Sequence, residues 1–247
     1  MKPLIVFVIV LASFASAQAQ WKKVETLRYD WVGSGSAATF TLGYDGGGEF
    51  TRVRVLTPGN PEFVLSDEDG LTNFRKDTCE NKKFGLCTRK NLFPSDRLFF
   101  YRLPSGEVLL FVFGWTYASS PGSVHVLALD RNGMPHEMLS LRDFDIDDLI
   151  DVDGDGTPEI VGKKCFSQEW GDHLLTYDPY SVYRLPKQST MQASYSLELS
   201  KQYNLKRYYG WAGPNCREDV AVVLHPPGGG KPVIMNSKEA EKLPQHK

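Results

Sequence analysis

Asp151-Val152-Asp153-Gly154-Asp155-Gly156-Thr157-Pro158-Glu159 is the stretch whose residue types and spacing point most directly to chemistry. Carboxylates at relative positions 1, 3 and 5, with Gly at 6, form the first half of a calcium loop. Alternating short Asp side chains fold onto one centre, and Gly156 allows the sharp turn that a Cβ would resist. Thr157 then offers its backbone carbonyl, and Glu159 is the natural closing carboxylate. Oxygen donors without His or Cys suit a hard cation, and a flexible oxygen cage suits Ca2+ better than Mg2+. Between Asp143 and Glu159 there are eight acids and no Lys or Arg. Unit charges about 4 Å apart repel by roughly 1 kcal/mol in water and several times that near a protein surface, so a divalent ion would convert repulsion into binding.

An EF-hand needs a bidentate Glu at position 12, where this chain has Gly162, and Glu159-Ile160-Val161-Gly162 reads as a strand. The loop resembles instead the calcium loop of FG-GAP/VCBS-type repeats, the propeller repeats also found in integrin α-subunits. In that family a D-x-[DN]-x-D-G-x-x-[DE] loop lies between two strands of a blade. The resemblance implies side-chain ligation by Asp151, Asp153, Asp155 and Glu159, backbone ligation by Thr157, and a repeat spanning about 124–185. A rival resemblance is to the nucleophile motif of haloacid-dehalogenase-type phosphatases, at Leu149-Ile150-Asp151-Val152-Asp153-Gly154. It implies Asp151 as nucleophile and Asp153 as general acid. That motif wants Thr or Val after the Gly, where this chain has Asp155, and it needs a parallel sheet.

The elements around the loop read as antiparallel strands. Ala37–Leu42 and Phe50–Leu56 flank the turn residues Tyr44-Asp45-Gly46-Gly47-Gly48. Leu98–Leu103 and Val108–Phe113 flank Pro104-Ser105-Gly106, and Val124–Leu129 and Met138–Leu141 flank Asp130-Arg131-Asn132-Gly133. Such close spacing without intervening helices predicts a mainly β meander, β-propeller-like or a related repeated-sheet architecture. One or two short helices are expected near the C-terminus. Leu199, Tyr203 and Tyr208 share a face before Gly210, and Asn236-Ser237 precedes Lys238–Leu243. Tyr101-Arg102-Leu103-Pro104 recurs as Tyr183-Arg184-Leu185-Pro186. No linker divides the chain, so residues 20–247 read as a single domain.

Residues 1–19 read as an export signal. Lys2 precedes the apolar run Leu4–Ala12, and Ala15-Ser16-Ala17 and Ala17-Gln18-Ala19 are small-x-small sites, with cleavage after Ala19 or Ala17. A periplasmic or extracellular location follows, with no membrane span after cleavage. In that setting Cys79, Cys87, Cys165 and Cys216 read as two disulfides with three pairings open. The short gap and Gly85 favour Cys79–Cys87, leaving Cys165–Cys216.

Composition sets limits on function. The 247 residues are 41% hydrophobic and carry a net charge of −2, which argues against disorder and against nucleic acid as a partner. Residues 75–102 form a basic stretch that reads as a solvated insertion, and His225–Lys231 lacks the spacing of a phosphate loop. Trp170, His173, Tyr177, Tyr180 and Trp211 could stack on a sugar, although aromatics at strand ends more often pack the core. The sequence therefore predicts an exported calcium-binding β protein, its Ca2+ structural. Its expected function is as a non-catalytic binding or scaffolding module, with a glycan or an envelope or extracellular protein as partner. The alternative is a calcium-dependent secreted hydrolase whose catalytic groups converge only on folding.

Overall fold

A computed structural model describes residues 23–31, 38–44, 50–71, 98–103, 105–114, 122–187 and 192–243. The export segment 1–19, Cys79, Cys87 and nearly all of the basic stretch lie outside the described residues. The chain is mainly β. It begins with β1 (Lys23–Tyr29), β2 (Ala38–Tyr44), β3 (Phe50–Leu56) and β4 (Phe63–Leu71). A second set follows: β5 (Phe99–Arg102), β6 (Val108–Gly114), β7 (Ser123–Leu129) and β8 (Pro135–Leu141). The third part runs through β9 (Asp145–Ile150), β10 (Glu159–Lys163), β11 (Glu169–Gly171), β12 (Leu174–Thr176), β13 (Tyr180–Arg184) and β14 (Ser194–Tyr195). Helix α1 (Leu197–Arg207), β15 (Ala221–Leu224), β16 (Val233–Asn236) and helix α2 (Ser237–Ala240) complete it.

These strands make an eight-stranded sheet from β1 to β8 and two four-stranded sheets, ordered β14-β13-β10-β9 and β11-β12-β15-β16. The pairings within them are antiparallel. The parallel sheet that a haloacid-dehalogenase reading requires is therefore contradicted. The β-propeller expected from the hairpin spacing is also corrected. The described sheets follow one another without closing into a ring, and the backbones of the two halves of the eight-stranded sheet pair through one rung, Leu71 opposite Gly114. Hairpin signals are local, whereas closure depends on edges far apart in sequence.

Alternation along the strands shows how the layers stack. Phe40, Leu42, Val53, Val55 and Leu65 point inward from β2–β4 and meet Phe100, Leu110, Val112 and Leu127 on one face of β5–β7. The opposite face, carrying Phe99, Phe111, Phe113, Val124 and Val126, packs on Leu149, Ile160, Tyr183 and Leu185 of β9, β10 and the end of β13. Strand β6 is thus buried on both faces, which explains its unbroken apolar run. Beyond it, Val161 and Val182 pack against Leu199 and Tyr203 of α1. The Tyr-Arg-Leu repeat gains a meaning here. Tyr101, Leu103, Tyr183 and Leu185 all lie in the same core, contributed by two facing sheets.

Helix α1 is anchored by polar side chains as well. Ser196 caps it by accepting from the Leu199 N–H, and buried Asn204 both accepts from Tyr180 N (3.0 Å) and donates to Tyr180 O (2.8 Å). Ser200 accepts from Val182 N at 2.9 Å. The helix side chains therefore complete the hydrogen bonding of β13 where the short β14 cannot. Among the described residues no helix is long and apolar enough to cross a membrane.

Gly162, whose position rules out an EF-hand, has a packing role. A Cβ there would lie 2.3 Å from the Asp145 carbonyl oxygen and 2.5 Å from Phe144 Cζ, at a register shift between β9 and β10. Gly162→Ala is expected to destabilise the fold by about 1–3 kcal/mol through overpacking. A lower urea midpoint at unchanged slope would confirm it, and an unaltered midpoint would contradict this packing account.

Candidate metal centre

The acidic stretch is the connection between β9 and β10, with Ile150 opposite Glu159 as the last rung. The loop folds around Asp151. Asp151 Oδ1 accepts from Gly154 N (2.7 Å) and Asp155 N (3.1 Å), and Oδ2 accepts from Gly156 N (2.9 Å). Gly154 and Gly156 adopt φ of 81° and 86°, the left-handed region that a side chain resists. Both glycines are thus required for the N–H groups to turn toward one carboxylate. These hydrogen bonds fix the shape of the loop by themselves.

Carboxylate oxygens of Asp151, Asp153 and Glu159 lie within 4.8 Å of one another, a geometry able to hold a divalent cation. Asp151 and Asp153 are exposed, whereas Glu159 is only 2% exposed at the floor. Glu159 Oε2 accepts from Val152 N at 2.8 Å, joining the two ends of the loop. Asp155 is placed differently. Its Oδ1 accepts from Thr157 N (2.8 Å), and its Oδ2 faces Lys187 Nζ at 3.3 Å. The Thr157 N–H, and Lys187 after it, hold Asp155 below its ordinary carboxylate pKa. Thr157 itself is buried.

Two cations belong to this site that the local sequence does not show. Arg184 Nη2 lies 2.9 Å from Asp153 Oδ2, and Lys187 follows beyond the end of β13. The register places Arg184 opposite Glu159, so strand pairing delivers the base from another part of the chain. The absence of bases between Asp143 and Glu159 is thus a property of the sequence, and the folded loop carries partial charge compensation. The signal was present in the recurring Tyr-Arg-Leu, whose second Arg is Arg184.

Burial pushes the Glu159 carboxyl up to about 7, with nearby Asp153 and Asp155 adding to the rise while the Val152 N–H and Arg184 oppose it. The metal-free folded protein therefore retains a proton that the unfolded chain loses near pH 4.5. This contribution lowers stability as pH rises from about 4.5 to about 7. A cation must displace the same proton, so its affinity should rise through that range. Calcium titrations at pH 5.5 and pH 8 are expected to show tighter binding at the higher pH, with the difference diminished in Glu159→Gln. Equal affinities at both pH values would contradict the assignment of Glu159 to the ion.

Cys165 and Cys216 form a disulfide joining the segment after β10 to the one before β15. Beside it is a polar cluster that sequence reading missed. Asp178, 2% exposed, accepts from Lys163 Nζ (2.5 Å), Ser167 Oγ (2.6 Å) and the Tyr208 hydroxyl. The Lys163 ammonium lies 4.8 Å and 4.6 Å from the ring centres of Tyr180 and Tyr208. Burial and the Asp178 charge push the Tyr208 phenol up, so it remains a donor. The members lie far apart in sequence, and no local spacing announces them. They act as a clamp between β10, α1 and the C-terminal sheet. Asp178→Ala is expected to cost about 3–5 kcal/mol by leaving Lys163 without its buried partner. A calorimetric melt checks this, and a loss near zero would remove the clamp.

Among the described residues His125 is the buried histidine with a close acid, and Nδ1 faces Glu137 Oε1 at 2.8 Å and Ser140 Oγ at 3.3 Å. Both partners meet the same ring nitrogen, whereas a nucleophile relay places acid and hydroxyl on opposite nitrogens. The group ties β7 to β8. Of the aromatics considered for sugar stacking, Tyr177 is fully buried, with its hydroxyl donating to Gly213 O at 2.9 Å. Tyr180 packs edge-on against Tyr203 and Tyr208, and Trp170 packs on the core under α2. His225–Lys231 forms the turn between β15 and β16.

Compared with protein-family models, curated proteins and solved structures, the chain finds no match. The FG-GAP/VCBS resemblance therefore has no support beyond the loop itself, and the export signal lies in residues outside the described part.

Proposed function

We propose that the β9–β10 loop binds one Ca2+ ion in a structural role, in a non-catalytic binding module that acts in an oxidising, exported compartment. The observation that carries this reading is the approach of Asp151, Asp153 and Glu159 oxygens to within 4.8 Å around a loop already shaped by N–H groups. All three donors are hard oxygens, and the loop is a turn between strands, which suits a calcium cage. The Thr157 carbonyl and water would complete the shell, with Asp155 on its outer side. Arg184 shares Asp153 and lowers the affinity that the charge alone would supply, in keeping with the weak sites of extracellular modules, about 10⁻⁴–10⁻³ M. The Cys165–Cys216 disulfide and the Lys2–Ala19 pattern support the compartment.

The ion's role is to relieve repulsion and pin the turn. At calcium 100-fold above its dissociation constant, mass action adds about 2.7 kcal/mol of stability. Melting curves with calcium and with chelator are expected to differ by several degrees for the wild type. Asp153→Ala should abolish that difference, and Asp155→Asn should preserve most of it. No shift in the wild type at saturating calcium would overturn the metal assignment.

A further inference from the structure

The acidic loop forms one wall of a cleft that its own ligand set does not explain. This cavity of about 260 Å³ is lined by Leu103, Ser105, Asp155, Gly156, Thr157 and Lys187. It lies between the turn after β5 and the outer side of the calcium loop, so three separate parts of the chain supply its surface. We propose that this cleft binds a single pyranose ring of a sugar. The inference deepens the binding-module reading and rests on it, because three of the lining residues belong to the loop.

The chemistry of the walls selects that class. Asp155 and Lys187 face each other at 3.3 Å, so the cavity presents an acceptor and a donor side by side with their charges offset. An anion would have to draw Lys187 away from Asp155, and a cation would have to do the reverse. A neutral vicinal diol needs neither, since one hydroxyl donates to Asp155 while its neighbour accepts from Lys187. Ser105 Oγ donates to Glu107 Oε2 at 3.2 Å, which directs its acceptor lone pairs elsewhere, available to a third hydroxyl. Leu103 closes the floor but is only 3% exposed, so the polar groups of Asp155, Lys187 and Ser105 carry the recognition. No Cβ contact would crowd position 156, where Gly leaves the wall open. The volume falls below the ~300–1,000 Å³ of drug-sized pockets, which fits one ring and not an extended chain within the cavity.

Because Asp155, Gly156 and Thr157 are shared between loop and cleft, calcium and sugar should each alter binding of the other by the same factor. The Lys187 side chain is 73% exposed, so it can be altered without opening the core.

The test uses the full chain and the methyl glycosides of glucose, galactose, mannose and rhamnose, read by saturation-transfer NMR and calorimetric titration at saturating calcium. The expected result is saturable binding of at least one glycoside. It should weaken about tenfold in Lys187→Met, which removes a charged hydrogen-bond donor, and vanish in Ser105→Phe, which fills the cleft. Ser105→Phe, which removes none of the loop's carboxylates or cations, should keep the calcium-dependent melting shift. Absence of binding by every glycoside in protein that shows the shift overturns the sugar site and leaves the calcium reading standing. Binding unchanged in both variants places the sugar elsewhere and also overturns it. Binding that follows the variants in protein lacking a calcium shift supports the cleft and removes the calcium.

Discussion

Mutual repulsion among carboxylates is the constraint that the third part of this fold is arranged around. Asp151, Asp153 and Glu159 bring oxygens within 4.8 Å of one another, where ionised carboxylates repel. The chain offsets this cost in graded fashion. Backbone N–H groups of Gly154, Asp155 and Gly156 converge on Asp151, the Arg184 guanidinium takes one side of Asp153, and Glu159 sits where burial favours its protonated form. Each device meets a different acid, and together they leave one oxygen of each of the three close enough for a single divalent cation to reach.

The layers on either side are what keep those devices in register. Ile160 and Leu149 anchor β10 and β9 in the core shared with β6 and β7, while Val161 and Val182 hold the opposite face under α1. Arg184 reaches Asp153 because β13 pairs with β10 so that Arg184 falls opposite Glu159. A slip of one residue would exchange the faces of the strand and carry Tyr183 out of the core as it carried Arg184 away from the loop. The aliphatic packing and the electrostatics thus enforce the same alignment.

Much of this was legible from residue order alone. Phe50–Leu56 and Val108–Gly114 are strands because β-branched and aromatic residues alternate or run unbroken between turn-forming residues, and the cap residue Asn236 marks a helix start. The three converging acids came from spacing. What escaped was non-local. Strand β9, Asp-Ile-Asp-Asp-Leu-Ile, is too acidic to resemble a strand, and its inward residues are recognised only once β7 and β10 flank it. Helix α1 has a half-polar buried face, since Ser200 and Asn204 serve the β13 backbone, so its apolar period is faint. The Asp178 clamp joins residues 163, 167, 178 and 208, a set that only tertiary contact assembles. Closure of the sheets into a ring was expected from repetition and did not follow, because repetition specifies neighbours and says little about ends.

The bond between Cys165 and Cys216 joins residues 51 positions apart and encloses a span that contains β11–β14 and α1. A peptidase cut within that span would separate the backbone without separating the molecule. The fragments would stay tethered through sulfur, with the Asp178 clamp and the Asn204 contacts still at high effective concentration. A nicked form would therefore run at full length until a reductant released its halves, and wear in a protease-rich setting would leave the assembly whole.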